Sequence, residues 1–122
     1  MSHTLMDTLG METIKTSKEE VMINMPVTDT VKQPMGFLHG GATVALAETA
    51  ASVGGLQQID TTQQSVVGVE INCNHIKAKK DGVLTASATP LHIGKQTMVF
   101  SITVTDEKEQ LIATSRCTLG II

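Results

Sequence analysis

Apolar residues recur at every second position in several stretches of this chain and at almost every position in one. That contrast divides it into strands and a helix. In "METIKTSKEEVMINMPVT", Val21, Ile23 and Met25 point one way, which fits two short strands joined near "TSKEE". Pro26 belongs near the strand end, because proline has no N–H for a central ladder. "SVVGVEINCNHIKA" alternates with Val67, Val69, Ile71 and Cys73 on one face, and "QTMVFSITVTD" with Met98, Phe100, Ile102 and Val104. "VLTASATPLHIG" reads as a strand between them, "DEKEQ" as a charged turn, and "LIATSRCTLGII" as the last strand. Asp81-Gly82 in "KKDGV" is a hairpin signal.

The exception to period two is Ala42 to about Leu56, where Ala, Val, Leu, Thr and Ser occupy nearly every face. A helix apolar all round is a buried helix. Gly54 and Gly55 mark its C-terminal end. Before it, "DTVKQPMGFLHGG" is a shaped loop rich in Gly and Pro, and after it "LQQIDTTQQ" is a polar loop. Leu5, Met6 and Leu9 lie at helical spacing ahead of Gly10, so residues 1–10 suit a short helix. The expected architecture is α+β: a single domain over residues 1–122, with one long central helix wrapped by a curved antiparallel β-sheet. One helix covers only one sheet face, so a second copy is expected to pair with the sheet or its edges.

Composition then removes whole classes of function. The chain has 122 residues, 41% hydrophobic and 17% charged, which is globular rather than disordered. Phe37 and Phe100 are its only aromatics, and the net charge is −3, so nucleic-acid binding by stacking or by a basic face is not expected. Cys73 and Cys117 have no CxxC spacing and read as reduced core thiols. No secretory signal pattern and no bilayer-spanning apolar run is present, so the expected location is cytoplasmic, away from membranes. His39, His75 and His92 have no metal-ligand spacing, and no P-loop, dinucleotide fingerprint or serine-hydrolase elbow occurs.

One residue is out of place. Glu48 sits among Leu46, Ala47, Ala50, Ala51 and Val53, with Ser52 one turn later on the same side. A buried, unpaired carboxylate is costly. At the helix start, "HGG" places Gly40 and Gly41 where free N–H groups and the helix dipole favour negative charge, a suitable place for an oxyanion. Gly40 and Glu48 are eight residues apart, roughly 12 Å along a helix. Groups serving one reacting carbon must lie within about 3–3.5 Å of it. If they share a site, that site is built by two copies of the chain.

The residues "QPMGFLHGGATVALAETAAS" resemble the signature of hotdog-fold acyl-CoA thioesterases. The resemblance is to the branch with a helical catalytic Glu, typified by the Arthrobacter-type 4-hydroxybenzoyl-CoA thioesterase and the 1,4-dihydroxy-2-naphthoyl-CoA thioesterase of menaquinone synthesis. "VVGVEINCNHIKAKKDG", "PLHIGKQTMVF" and "DEKEQLIATSRCTL" are similar to the family's later part, so the resemblance runs from roughly residue 30 to the end. It implies that Glu48 attacks the thioester carbonyl or activates a water, while the Gly40 N–H of a partner holds the carbonyl oxygen. It implies that Gln33 and His39 orient and polarise the thioester and that Ser52 helps to place the water. It puts Val67, Gly68, His75, Lys77, His92, Gly94 and Lys95 at coenzyme A, with Lys79 and Lys80 in a solvated turn. Met35, Phe37, Ala45 and Val53 are expected at the acyl group. No cofactor or metal is implied, coenzyme A being part of the substrate, and the expected assembly is a homodimer paired into a homotetramer. Two alternatives stand beside hydrolysis: a hotdog enoyl-CoA hydratase or dehydratase, for which "LHGG" replaces the usual "HFPG"-like loop, and a non-catalytic acyl-CoA-binding protein.

Overall fold

The computed structural model describes residues 3–122. A five-residue helix, α1 (Leu5–Leu9), precedes β1 (Glu12–Thr16) and β2 (Val21–Pro26). The long helix α2 (Gly40–Leu56) follows, then β3 (Val66–His75), β4 (Val83–Ile93), β5 (Thr97–Thr105) and β6 (Leu111–Ile121). The strands form one antiparallel sheet in the order β1-β2-β4-β5-β6-β3. α2 packs across β2, β3, β4, β5 and β6. This is the predicted α+β arrangement of one long helix against an antiparallel sheet.

The alternation explains the packing. Val21, Ile23 and Met25, and Met98, Phe100, Ile102 and Val104, are all buried on the helix side. Each such side chain contributes about 1.5–3 kcal/mol of burial. Pro26 is the last residue of β2, as expected.

Two expectations are corrected. First, Asp81-Gly82 does not turn a hairpin. Gly82 has φ +93°, as a turn glycine would, but β3 pairs with β6 and β4 with β2 and β5. Residues 76–82 instead cross over the end of the β5–β6 turn, a span of three strand spacings or roughly 14 Å. Second, Val67 and Val69 do not share a face with Ile71 and Cys73. The β3–β6 register shifts between Gly68 and Glu70. This bulge changes the parity of the strand. Val66, Ile71 and Cys73 pack on the core, whereas Val67 and Val69 are 44% and 63% exposed.

Gly54 and Gly55 lie in the last turn of α2, which ends at Leu56 as expected. They are there for close approach. A Cβ on Gly54 would sit 2.7 Å from Cε2 of Phe100, and one on Gly55 would sit 2.5 Å from Cδ1 of Leu119. The Phe100 ring is buried and cannot swing away. Gly54→Ala is therefore expected to destabilise the protein. Overpacking costs about 1–3 kcal/mol, against a helix-propensity gain of at most about 1. A thermal melt checks the sign, and a raised melting temperature would refute the close-contact explanation.

Candidate active site along the long helix

The loop before α2 is held by backbone bonds. Leu38 donates to the carbonyl of Lys79 at 2.7 Å and His39 to that of Val31 at 2.8 Å. His39 caps α2, its Nδ1 accepting the Gly41 N–H at 2.8 Å. A neutral His39 ring therefore carries its proton on Nε2, free to donate outward. Among the described residues no acceptor holds the Gly40 N–H. It is an orphan donor at the positive end of a 17-residue helix. Gln33 accepts the Met35 N–H through Oε1, which leaves its amide NH₂ to donate. The His75 imidazole lies over Gly40, where a Cβ would stand 3.1 Å from its Nε2. Gln33, Phe37, Gly40, His75 and Lys77 line one cavity of about 400 Å³.

Glu48 and Ser52 line a different cavity, of about 460 Å³, together with Ala45 and Val53. The Glu48 carboxylate lies against Gly68 of β3, where a Cβ would come within 2.2 Å of Oε2. Any side chain at position 68 would displace that carboxylate. The β3 bulge lies just after Gly68.

The sequence-predicted residues thus fall into separate groups on one protomer. Gln33, His39, Gly40, His75 and Lys77 gather at the N-terminal end of α2. Glu48, Ser52 and Gly68 lie further along it. His92 lies near the end of β4 and Gly94 and Lys95 in the β4–β5 turn, and Thr97, which opens β5, pairs with Gly120, the β6 partner of Val67. His75 and Gly68 are seven residues apart on β3, roughly 20 Å. Of the residues expected at the acyl group, Ala45 and Val53 line the Glu48 cavity and Phe37 the other, while Met35 is 79% exposed.

Lys79 is not in a solvated turn. Its side chain is only 11% exposed, and its Nζ lies 3.0 Å from Asp106 Oδ2 and 3.1 Å from Glu107 Oε2. Lys80 stands 4.8 Å from the Phe37 ring centroid. The sequence carries the opposite charges of "KAKKDG" and "DEKEQ", but nothing local says that the two segments touch. Both cysteines are free. Burial first, then the nearby Glu48 and Glu70 carboxylates, push the Cys117 thiol up to about 11. Burial also raises that of Cys73. Neither has thiolate character near neutral pH.

Residues 35–113 match the family described as the Thioesterase superfamily. The chain belongs to that family. This thioesterase has the hotdog fold and is a thioester hydrolase. It is 52% identical over 122 residues to the Bacillus subtilis (strain 168) protein ComA2, whose name assigns an esterase activity provisionally, covering 100% of this chain and 97% of that one. It is 44% identical over 117 residues to a Listeria monocytogenes protein named 1,4-dihydroxy-2-naphthoyl-CoA hydrolase, covering 96% and 94%. A crystal structure of a thioesterase variant from Staphylococcus aureus subsp. aureus Mu50 superposes with a TM-score of 0.93 at 48% identity, covering 96% and 97%. Among the described residues, no helix of the thioesterase is long and apolar enough to cross a membrane.

The Lys79 ion pairs tie the wall of the Gly40 cavity to the β5–β6 turn of the thioesterase. Burial pushes the Asp106 carboxyl up, but the N–H groups of Gln110 and Lys108 and the Lys79 ammonium outweigh it and hold it below the usual range. A depressed carboxyl stabilises the fold above its unfolded-state pKa, and that stabilisation is lost as pH falls through the folded value. Asp106→Asn should therefore lower the melting temperature at neutral pH. Its gap to wild type should narrow below about pH 4, where the unfolded carboxyl protonates. Melts across that range check this, and a gap constant with pH would show the contact is not ionic in origin.

Proposed function

We propose that this thioesterase hydrolyses acyl-CoA esters to the free acid and CoA, at a site shared between two copies of the chain. Glu48 of one copy attacks the thioester carbon or aims a water at it, and Ser52 helps to place that water. The Gly40 N–H of the other copy holds the carbonyl oxygen, with Gln33 and His39 donating beside it.

The observation that carries this reading is the separation of Gly40 and Glu48 into two cavities of one protomer. β3 supports the shared site. Among the described residues it pairs only with β6, so its other edge is open. Two β3 edges meeting antiparallel about a two-fold axis would set the His75 end of one beside the Val67–Gly68 end of the other. That operation unites the separated groups. His75, Lys77, His92, Gly94, Lys95, Val67 and Gly68 then border the path of the pantetheine arm and nucleotide. Lys77 bonds Gln110 at 2.5 Å, and Lys95 is exposed in the β4–β5 turn. These lysines meet phosphate as point charges rather than as bidentate forks. The naming of the Listeria and Escherichia coli relatives as 1,4-dihydroxy-2-naphthoyl-CoA hydrolases favours an aromatic acyl group.

Free-thiol release from acetyl-, benzoyl- and 1,4-dihydroxy-2-naphthoyl-CoA tests the reaction. Turnover fastest on an aromatic ester is expected. Tight binding of these esters with no thiol released would overturn hydrolysis, and hydration of crotonyl-CoA would replace it.

A further inference from the structure

The Glu48 cavity has a wall that the functional reading does not use. Leu5 and Met6 of α1 face Ala45, Glu48, Val53 and Leu56 of α2 across about 460 Å³ of space. α1 has no buried residue, and Leu5 is 61% exposed. Five residues are too few to hold a helix by themselves. This one is fixed at both ends. Thr4 and Asp7 form a reciprocal capping box, and Gly10 closes the C-terminus at φ +77° with its N–H on the Asp7 carbonyl. The Met11 N–H reaches back to the Met6 carbonyl at 2.9 Å. Leu9 and Met11 pack on the core. The sequence therefore anchors the C-terminal side of α1 and leaves its first turn hanging over the cavity.

We propose that this overhanging turn is the outer wall of the acyl subsite, so that Leu5 and Met6 set the size of the acyl group that is hydrolysed. The inference rests on the reading of Glu48 as the residue that acts on the thioester. A carbonyl carbon brought to Glu48 must send the acyl group one way and the pantetheine arm another. Gly68 already lies against the carboxylate on the β3 side. On the α1 side the lining holds no cation among the described residues, and Glu48 is the one charged residue among them. The Thr49 hydroxyl, also in the lining, is spent on the Ala45 carbonyl at 2.7 Å. Such a space repels the CoA phosphates and accepts an uncharged apolar group. Its volume lies in the range of small-ligand pockets and admits a bicyclic aromatic ring.

Met6→Trp tests this. It fills the space from a half-exposed position, and circular dichroism and a thermal melt confirm that the variant folds. The ratio of kcat/KM for 2-naphthoyl-CoA over acetyl-CoA should fall by about tenfold or more, the scale on which apolar pockets discriminate by size. A ratio within about twofold of wild type would overturn the proposal. Calorimetry in the Glu48→Gln background reads the subsite without turnover. There 2-naphthoyl-CoA should bind more tightly than CoA, and adding Met6→Trp should remove that gain. A gain that persists, or one absent from the parent, overturns the proposal. Wild-type protein that shows the gain yet releases no thiol from any ester would instead overturn the hydrolytic reading.

Discussion

Glu48→Gln is expected to cut thiol release from every acyl-CoA ester by about a thousandfold or more, while the melting temperature stays within a few degrees of wild type. Removing a nucleophile or general base costs on this scale. The fold should survive because Gln keeps the volume that rests on Gly68. Among the described residues Glu48 joins no ion pair. It is half-buried at the rim of its cavity rather than inside the core. The substitution also has a second readout. Glu48 is one of two carboxylates that raise the Cys117 thiol, after the larger effect of burial. Removing its charge should lower that thiol's titration slightly, which ultraviolet thiolate absorbance can follow. Turnover near the wild-type rate would end the assignment of Glu48.

The fold was legible wherever the signal was local and periodic. Alternation in Val21–Met25 and Met98–Val104 reports burial directly, and both runs lie on the core. The apolar stretch before Leu56 reports the helix. Three kinds of feature were hidden. The β3 bulge changes which valines face the core, and a pattern of strict alternation cannot show where a register slips. Gly82 has a turn conformation, but its neighbours in the sheet are decided by strands far away in sequence. Gly54 and Gly55 look like a helix stop because glycine is usual there; the structure shows that the sheet's closeness requires them. At the candidate site, Glu48 stood out because a charge on an apolar helix is anomalous. The distance argument separated it from Gly40, and the two cavities agree with it. Lys79, Leu5 and Met6 gave no such signal. Their roles depend on tertiary neighbours 27 or more residues away.

The shared site can be tested by removing the Gly40 N–H without a large change in shape. Gly40 is the first residue of α2, where proline is well tolerated. His39 has φ −73° and ψ 127°, the extended conformation a residue before proline requires. Gly40→Ala supplies the control. It adds the same Cβ, 3.1 Å from the His75 ring, but keeps the donor. The Pro variant is expected to lose about 10²–10³-fold in kcat relative to the Ala variant, the usual cost of one oxyanion donor. Co-expression with two affinity tags then isolates mixed pairs. A pair of one Gly40→Pro chain and one Glu48→Gln chain has one intact site if sites are shared, and about half of wild-type activity per pair is expected. A pair of one wild-type chain and one chain with both substitutions then has no intact site and should be inactive. If each chain instead carries its own complete site, the two results exchange. The first pair would be inactive and the second half-active, and that reversal would place Gly40 and Glu48 of one helix in a single site despite the roughly 12 Å of helix between them.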